Sequence, residues 1–480
     1  MLRRTKIVAT LGPSTDNLDT LEQLFRAGLD VARVNFSHGN AEDHINRIEM
    51  VKQVAEKTGR HVAILADLQG PKVRIARFRK GKVFLKKDAT FVVDVSLDPD
   101  VGDQHQVGCL YKTLAEDVRV GNVLMLDDGR IVLGVDQING PRIKCHVIVG
   151  GTLSDHKGLN LQGGGLSAAA LTDKDKQDIE TAAEFDVDYV AVSFTRSAQD
   201  IHEARALLQA AGSNAGIIAK IERAEALDTI EEIIASSEAI MVARGDLGVE
   251  IGDATLPPVQ KRLIDLARKM DTAVITATQM MESMVYNPLP TRAEIFDVAN
   301  AVFDGTDAVM LSAETAVGKY PVKAVEAMER VCLEIEKQPS QQIQRDDQEM
   351  HFERVDEAIA KSCMYVANHF SIKAIATLTE SGSTAIWMSR LNSFIPIFAM
   401  TPHPRTCRKV TLLKGVYPLV FKIDTSNHPR INKAAITELE SRGILQKGDH
   451  LILTKGDLTG VQGGTNAIKI VRVGDEILLD

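Results

Sequence analysis

Residues 216–222 read Gly-Ile-Ile-Ala-Lys-Ile-Glu, a short apolar run that closes on Lys220 and Glu222. Runs of the same kind lie on either side: Tyr189–Phe194 upstream, and Ala239–Gly245, Ala273–Gln279 and Ala308–Glu314 downstream. Three more open the chain, at Lys6–Gly12, Val31–Phe36 and Val62–Leu68. Amphipathic stretches separate them. Leu18, Leu21, Leu24 and Phe25 recur at helical spacing, and Gly28 reads as the residue just past that helix. Runs that are apolar on both faces suit parallel strands covered by helices. Eight such units predict an α/β fold built on a (β/α)8 TIM barrel. Rhythm alone also admits an open doubly wound sheet.

Between Pro71 and Ser167 the rhythm breaks into alternating strands with the turn signals Asp128-Gly129, Asn139-Gly140 and Gly150-Gly151. Residues 71–167 are therefore expected to form a small β-barrel lid inserted at the mouth of the barrel, whose own residues are 1–70 and 168–340. Around Gln338–Met350 the chain turns polar and reads as a linker. Beyond it, residues 341–480 predict a smaller α/β domain with strands at Ala374–Leu378, Ile395–Ala399, Tyr417–Phe421 and His450–Thr454.

Composition narrows the function. The 480 residues carry a net charge of −9, with 44% hydrophobic and 25% charged residues. That balance excludes a disordered chain and argues against nucleic acid as a partner. No apolar run is long enough to cross a membrane, and the N-terminus lacks a signal-peptide pattern. Five scattered cysteines without a Cys-x-x-Cys pattern fit buried thiols in a reducing cytoplasm.

The chemistry collects at strand ends. Side chains on a strand alternate, so Arg33, Asn35 and Ser37 share one face, as do Lys220 and Glu222, and Thr276 and Thr278. Asp67 ends the third run and Asp246 follows the sixth. Glu222 and Asp246 come from neighbouring strands about 4.8 Å apart, so both carboxylates can reach one cation. Two hard oxygen ligands without histidine or cysteine suit Mg²⁺ or Mn²⁺. Lys220 and Arg33 would then face an anion on that metal, the arrangement of phosphoryl transfer. Singly, these residues also fit a structural ion pair, a helix cap or a turn. Their joint placement at successive strand ends is what points to a site. A barrel lyase working through a metal-bound enolate would use the same carboxylate pair. A non-catalytic metabolite sensor would not need the full set.

Thr5-Lys-Ile-Val-Ala-Thr-Leu-Gly-Pro-Ser-Thr, Ala32-Arg-Val-Asn-Phe-Ser-His-Gly, Asp67-Leu-Gln-Gly-Pro-Lys-Val-Arg, Lys220-Ile-Glu, Met241-Val-Ala-Arg-Gly-Asp-Leu-Gly-Val-Glu, Thr276-Ala-Thr-Gln-Met-Met-Glu-Ser-Met and Met310-Leu-Ser-Ala-Glu-Thr-Ala follow one another along the barrel. This series closely resembles the pyruvate kinase family, in family order. The resemblance implies transfer of phosphate from phosphoenolpyruvate to ADP, yielding pyruvate and ATP as the final step of glycolysis. It implies that Glu222 and Asp246 hold the divalent metal, that Lys220 neutralises charge on the phosphoryl and enolate oxygens, and that Arg33 grips the phosphoryl group. The backbone of Ala243, Arg244, Gly245 and Asp246, with Thr278, would hold the substrate carboxylate. Thr278 would also flank the proton path. Arg74 would support the phosphoryl site, and His38 and Lys157 match nucleotide-side positions. A homotetramer is the family's usual assembly.

The same resemblance makes Asn35, Ser37 and Asp67 the lining of a monovalent-cation pocket. Potassium-dependent members resemble Asp-Thr-Lys-Gly-Pro-Glu there, whereas this chain reads Asp67-Leu-Gln-Gly-Pro-Lys. Leu68 offers no hydroxyl, and Lys72 brings its own cation, so K⁺ is not expected to be required. In the C-terminal domain, Thr379-Glu-Ser-Gly-Ser-Thr precedes a predicted helix, a pattern of hydroxyls and amides that suits phosphate. Thr379, Ser381, Gly382, Ser383 and Thr384 match the family's effector loop. The facing Gly456–Asn466 stretch lacks the Trp and Arg of fructose-bisphosphate-regulated members, which favours a monophosphorylated sugar or AMP.

Overall fold

The computed structural model describes residues 2–338, 352, 354–391, 393–422, 431–457 and 463–475. Eight parallel strands close into a barrel: β1 (Lys6–Leu11), β2 (Val31–Asn35), β3 (Ala63–Asp67), β4 (Tyr189–Val192), β5 (Gly216–Ile221), β6 (Ala239–Ala243), β7 (Ala273–Ala277) and β8 (Ala308–Leu311). β1 pairs with both β2 and β8, which closes the ring and excludes the open sheet.

Alternation explains how one strand serves two cores. Val8, Val31, Leu65, Ala191, Ile218, Met241, Ile275 and Met310 fill the barrel interior, with Tyr189 at its base. Their neighbours Ile7, Ala32, Ile64, Val190, Ile217, Ile240 and Val274 point outward to the helices. Every barrel strand is buried on both faces, as a parallel sheet under helices requires. The helices carry their own boundary signals. Asn40 and Asp43 cap Ala41–Thr58 reciprocally, and Gly59 ends that helix at φ 66°.

The segment between β3 and β4 folds as a six-stranded sheet and a two-stranded sheet, Lys82–Leu85 against Gly151–Ser154, around one shared core. Asp128-Gly129 and Asn139-Gly140 join paired antiparallel strands, whereas Gly150-Gly151 marks the step from the six-stranded sheet to the two-stranded one. Gly150 is required where it stands, since a Cβ there would lie 2.4 Å from the Leu85 carbonyl oxygen.

The C-terminal sheet holds β9 (Ala374–Leu378), β10 (Ile397–Thr401), β11 (Val416–Val420), β12 (His450–Gly456) and β13 (Thr465–Arg472), in the order β11-β10-β9-β12-β13. β13 runs antiparallel to β12 at the edge of the sheet and has no counterpart among the predicted strands, because Lys469 splits its apolar residues into the short pairs Ala467-Ile468 and Ile470-Val471. β10 begins two residues later than its apolar run, with Pro396 lying just ahead of it. The linker beyond Gln338 lies outside the described residues.

This domain docks on the base of the barrel. Arg390 pairs with Asp307, both almost fully buried, and also donates to Thr272 O at 2.8 Å. Arg408 meets Asp188 at 2.9 Å, Tyr189 OH donates to Lys409 O at 2.8 Å, and Lys6 Nζ donates to Val416 O at 2.6 Å. No described helix is long and apolar enough to span a membrane, and all five cysteines are free and buried.

Candidate active site

The strand register brings four charges together at the C-terminal mouth. Lys220 is the inward residue after Ile218 on β5, and its Nζ lies 3.0 Å from Glu222 Oε1 and 3.2 Å from Asp67 Oδ1. Arg33, inward on β2, donates from Nε to Asp67 Oδ2 at 2.6 Å and from Nη1 to Thr10 Oγ1 at 2.8 Å. Burial alone would raise Asp67, yet the Lys220 ammonium and the Arg33 guanidinium outweigh it and hold the carboxylate below its ordinary range. Burial would lower Lys220, but Asp67 and Glu222 raise it, so the ammonium stays charged in a dry setting. Glu222 is pushed up by burial and by the nearby charge of Asp246, against the pull of Lys220. Its second oxygen accepts from Phe194 N–H at 2.8 Å.

Asp246 sits in the first turn of the helix Arg244–Ile251, not on the strand. Lys72, from the first residues of the inserted segment, reaches it at 2.9 Å. Sequence reasoning set Lys72 beside Asp67 in the cation pocket. The structure gives its ammonium to Asp246 instead, because Arg33 and Lys220 already occupy both oxygens of Asp67. Leu68 is buried and serves through its carbonyl, which accepts from Ser193 Oγ at 2.7 Å. Asn35 pairs in register with Asp67 and accepts from Ser37 N–H at 3.1 Å.

The expectation for β7 is corrected. Thr276 faces outward with Val274, and its hydroxyl bonds Thr306 Oγ1 at 3.0 Å. Simple alternation would send Thr278 the same way. β7 ends at Ala277, however, and Thr278 and Gln279 adopt left-handed backbone at φ 67° and 53°. That step presents the Thr278 hydroxyl to Gly245 N–H, which donates to it at 2.9 Å. Arg244 does not face the charge cluster with its side chain. It grips Asp297 at 2.6 and 2.8 Å and donates to the Thr278 carbonyl at 2.6 Å, so it braces the strained turn.

His38 is held below its ordinary value by burial and by the positive charges of Arg74, Arg33 and Lys72. Arg74 donates to His156 O at 3.0 Å. Lys157 is not brought to the cluster: it pairs with Asp127 at 2.7 Å within the inserted segment. In the C-terminal loop, Gly382 N–H donates to Thr379 Oγ1 at 2.9 Å, Ser381 and Ser383 hydroxyls lie 2.9 Å apart, and Thr384 meets Thr465 at 2.9 Å. Gly382, at φ 90°, opens the helix Ser383–Arg390. Residues 458–462 of the facing stretch lie outside the described residues.

Three participants escaped sequence reasoning. Ser193 accepts from Lys220 Nζ at 2.7 Å, Thr10 accepts from Arg33, and Glu250 accepts from Ala224 N–H at 2.8 Å. The alternation that found Arg33 also marks Thr10 and Ser193, since each follows an interior residue by two, Val8 and Ala191. Nothing in the sequence singles out Glu250.

Comparison with known proteins agrees from end to end. Residues 2–325 match the family model "Pyruvate kinase, barrel domain", and residues 357–471 match "Pyruvate kinase, alpha/beta domain". Pyruvate kinase II of Salmonella typhimurium is 52% identical over 476 residues, covering 98% of this chain and 99% of that protein. The Haemophilus influenzae pyruvate kinase is 52% identical over 95% of this chain and 96% of its own length. The Staphylococcus aureus enzyme is 41% identical over 99% of this chain and 81% of its own. A barrel, an insertion after β3 and a C-terminal sheet in this order, matched over nearly their whole length at such identity, make the chain a member of the pyruvate kinase family.

Proposed function

We propose that this chain transfers the phosphoryl group of phosphoenolpyruvate to ADP, with Lys220, Arg33, Thr278 and Arg74 acting on the substrate. The observation that carries this reading is the buried Lys220 ammonium held between Asp67 and Glu222 with Arg33 alongside. A cation fixed this way needs no reorganisation when negative charge builds up on the transferred phosphoryl and on the enolate oxygen. Arg33 spends Nε and Nη1 on Asp67 and Thr10. Its Nη2 has no hydrogen-bond partner among the described residues and is left for an anion. The Thr278 hydroxyl, turned toward Gly245, stands beside the face from which the enolate carbon would be protonated through water.

Glu222 and Asp246 fit a divalent cation, Mg²⁺ or Mn²⁺. Both are hard oxygen donors, and the repulsion that raises Glu222 is one a bound cation would relieve. The described residues contain no cluster of three or more His, Cys, Asp or Glu side chains able to hold a metal. Two protein ligands leave the other positions for substrate oxygens. When bound, the ion supplies charge neutralisation and a template for the phosphoryl oxygens. Asn35, Ser37, Asp67 and Leu68 form the monovalent-cation region, and the Lys72 ammonium, held on Asp246, makes added K⁺ unnecessary. Ala243 and Gly245 backbone would meet the carboxylate, and His38 and Lys157 the nucleotide, Lys157 only after leaving Asp127.

Residues 71–167 act as the lid that excludes water, over a barrel of residues 1–70 and 168–340. Residues 341–480 bind a phosphorylated sugar or AMP through Thr379, Ser381, Gly382, Ser383 and Thr384. The enzyme works in the cytoplasm as a homotetramer. The decisive assay is pyruvate formation from phosphoenolpyruvate and ADP with Mg²⁺, with and without K⁺, in a buffer free of sodium and ammonium. Equal rates are expected. Pyruvate only with K⁺ would overturn the role of Lys72, and retro-aldol turnover without nucleotide would overturn the whole reading. Fructose bisphosphate as the best activator would overturn the effector class.

A further inference from the structure

Both stems of the inserted segment converge on one short helix, Arg244–Ile251. The outgoing stem contributes Lys72, bonded to Asp246 at 2.9 Å. The returning stem, residues 160–166, is held by Glu250, one helical turn beyond Asp246. The Glu250 carboxylate is buried, accepts from Ala224 N–H at 2.8 Å and has the Asn160 side chain beside it. Asn160 lies on the strand Leu159–Leu161 of the inserted sheet, and Ala224 lies two residues beyond Glu222. The Glu250 carbonyl also accepts from Gly163 N–H at 3.0 Å.

The surrounding contacts belong to the same clasp. Arg223 donates to Leu166 O at 2.9 Å, and Glu225 accepts from Gly165 N–H. A Cβ at Gly164 would lie 2.6 Å from the Glu225 carboxylate, so the returning stem runs directly against the residues that follow Glu222. Glu250 is thus the one described carboxylate that touches the inserted sheet and the loop after Glu222 while riding on the helix of Asp246.

Resting on the proposed metal role of Glu222 and Asp246, we infer that Glu250 is a positioning residue: it couples docking of the inserted segment to the alignment of those two carboxylates. A shift of the returning stem moves Asn160, and through Glu250 it moves both elements that carry the pair. Conversely, a cation between Glu222 and Asp246 fixes the helix and so tightens the stem.

The test uses the full-length enzyme and Mn²⁺ alone as probe. Free Mn²⁺ is followed by electron paramagnetic resonance, and amide hydrogen exchange is read over residues 158–166 with and without the ion. For wild type, Mn²⁺ is expected to bind and to slow that exchange. Glu250→Gln keeps the shape but exchanges one acceptor oxygen for a donor amide; Asn160→Ala removes only the side chain that the inserted sheet sets beside it. Both should weaken Mn²⁺ binding about tenfold, the lower end for residues that orient metal ligands, and both should lose the Mn²⁺-dependent protection. Their KM for phosphoenolpyruvate should rise more than kcat falls, a split that a loss of fold would not produce. Should Glu250→Gln fail to fold, Asn160→Ala carries the test. Wild-type Mn²⁺ affinity and protection in the folded variants would overturn the inference alone. Absence of Mn²⁺ binding in wild type would overturn the metal reading and the inference with it.

Discussion

Lys72 lies 2.9 Å from Asp246, so the inserted segment supplies a counter-charge to a carboxylate that also repels Glu222. Both side chains keep some exposure, which leaves the pair free to rearrange when ligands arrive. Lys72→Glu replaces that ammonium with a third carboxylate. Its turnover without K⁺ should fall roughly tenfold or more, as for lost partners of metal ligands. Added K⁺ should restore it, while wild type stays indifferent. Initial rates across a K⁺ series at constant ionic strength check this.

Lys220→Met removes the cation at the centre of the cluster. Turnover should drop by roughly 10²–10³, the usual loss for one preorganised charge donor. Phosphoenolpyruvate should still bind, because the ammonium acts on charge that develops during transfer. Near-normal kcat would sink that role. Equilibrium binding measured beside steady-state kinetics separates the two effects.

Arg390 and Asp307 are both buried, and Asp307 also accepts from Val274 N–H and Lys414 N–H. Arg390→Met leaves that carboxylate without its main partner. A loss of about 3–5 kcal/mol is expected, the range for an orphaned buried charge. Urea unfolding followed by Trp387, the single tryptophan and a neighbour on the same helix, reports it directly.

His44 is buried, stacks on Phe36 at 4.3 Å, and leaves Nδ1 without a hydrogen-bond partner among the described residues. Burial, with Arg47 and Lys174 nearby, pushes it down to about 4 from an ordinary 6.5. The native state therefore binds this proton less readily than the unfolded chain. The contribution of His44 to stability is complete above pH 6.5 and is lost as pH falls from there through 4. His44→Phe keeps the ring and removes the titration. The stability difference between wild type and variant should shift by about 3 kcal/mol across that window. Denaturant midpoints at several pH values decide the matter.

Much of this was legible before any coordinates, for a physical reason. Parallel strands buried on both faces leave uninterrupted apolar runs, and all eight barrel strands lie within such runs. Polar residues at the ends of those runs break the rule, so Arg33, Asp67, Lys220 and Glu222 stood out. What stayed hidden depended on geometry that alternation does not carry. Ser193 reads as the tail of an apolar run, although it follows the interior residue Ala191 by two. Thr276 and Thr278 share a parity, but a left-handed turn separates them. The destination of Lys72 depended on competition, since Arg33 and Lys220 had already saturated Asp67. β13 was invisible because Lys469 breaks its apolar residues into pairs too short to read as a run.

The left-handed pair Thr278 and Gln279 has a consequence for how this mouth tolerates change. Each residue holds a conformation that costs an L-amino acid about 1–2 kcal/mol. The Arg244–Asp297 brace therefore works like a latch on a wound spring. Cut the latch, and the hydroxyl relaxes toward the outer layer, following the parity of Thr276. Glycine at 279 would remove the spring as well, and either hand would then be open to the chain. In this barrel the inward presentation of one hydroxyl is stored as chirality of the backbone, so it can be lost without altering a single atom of the Thr278 side chain.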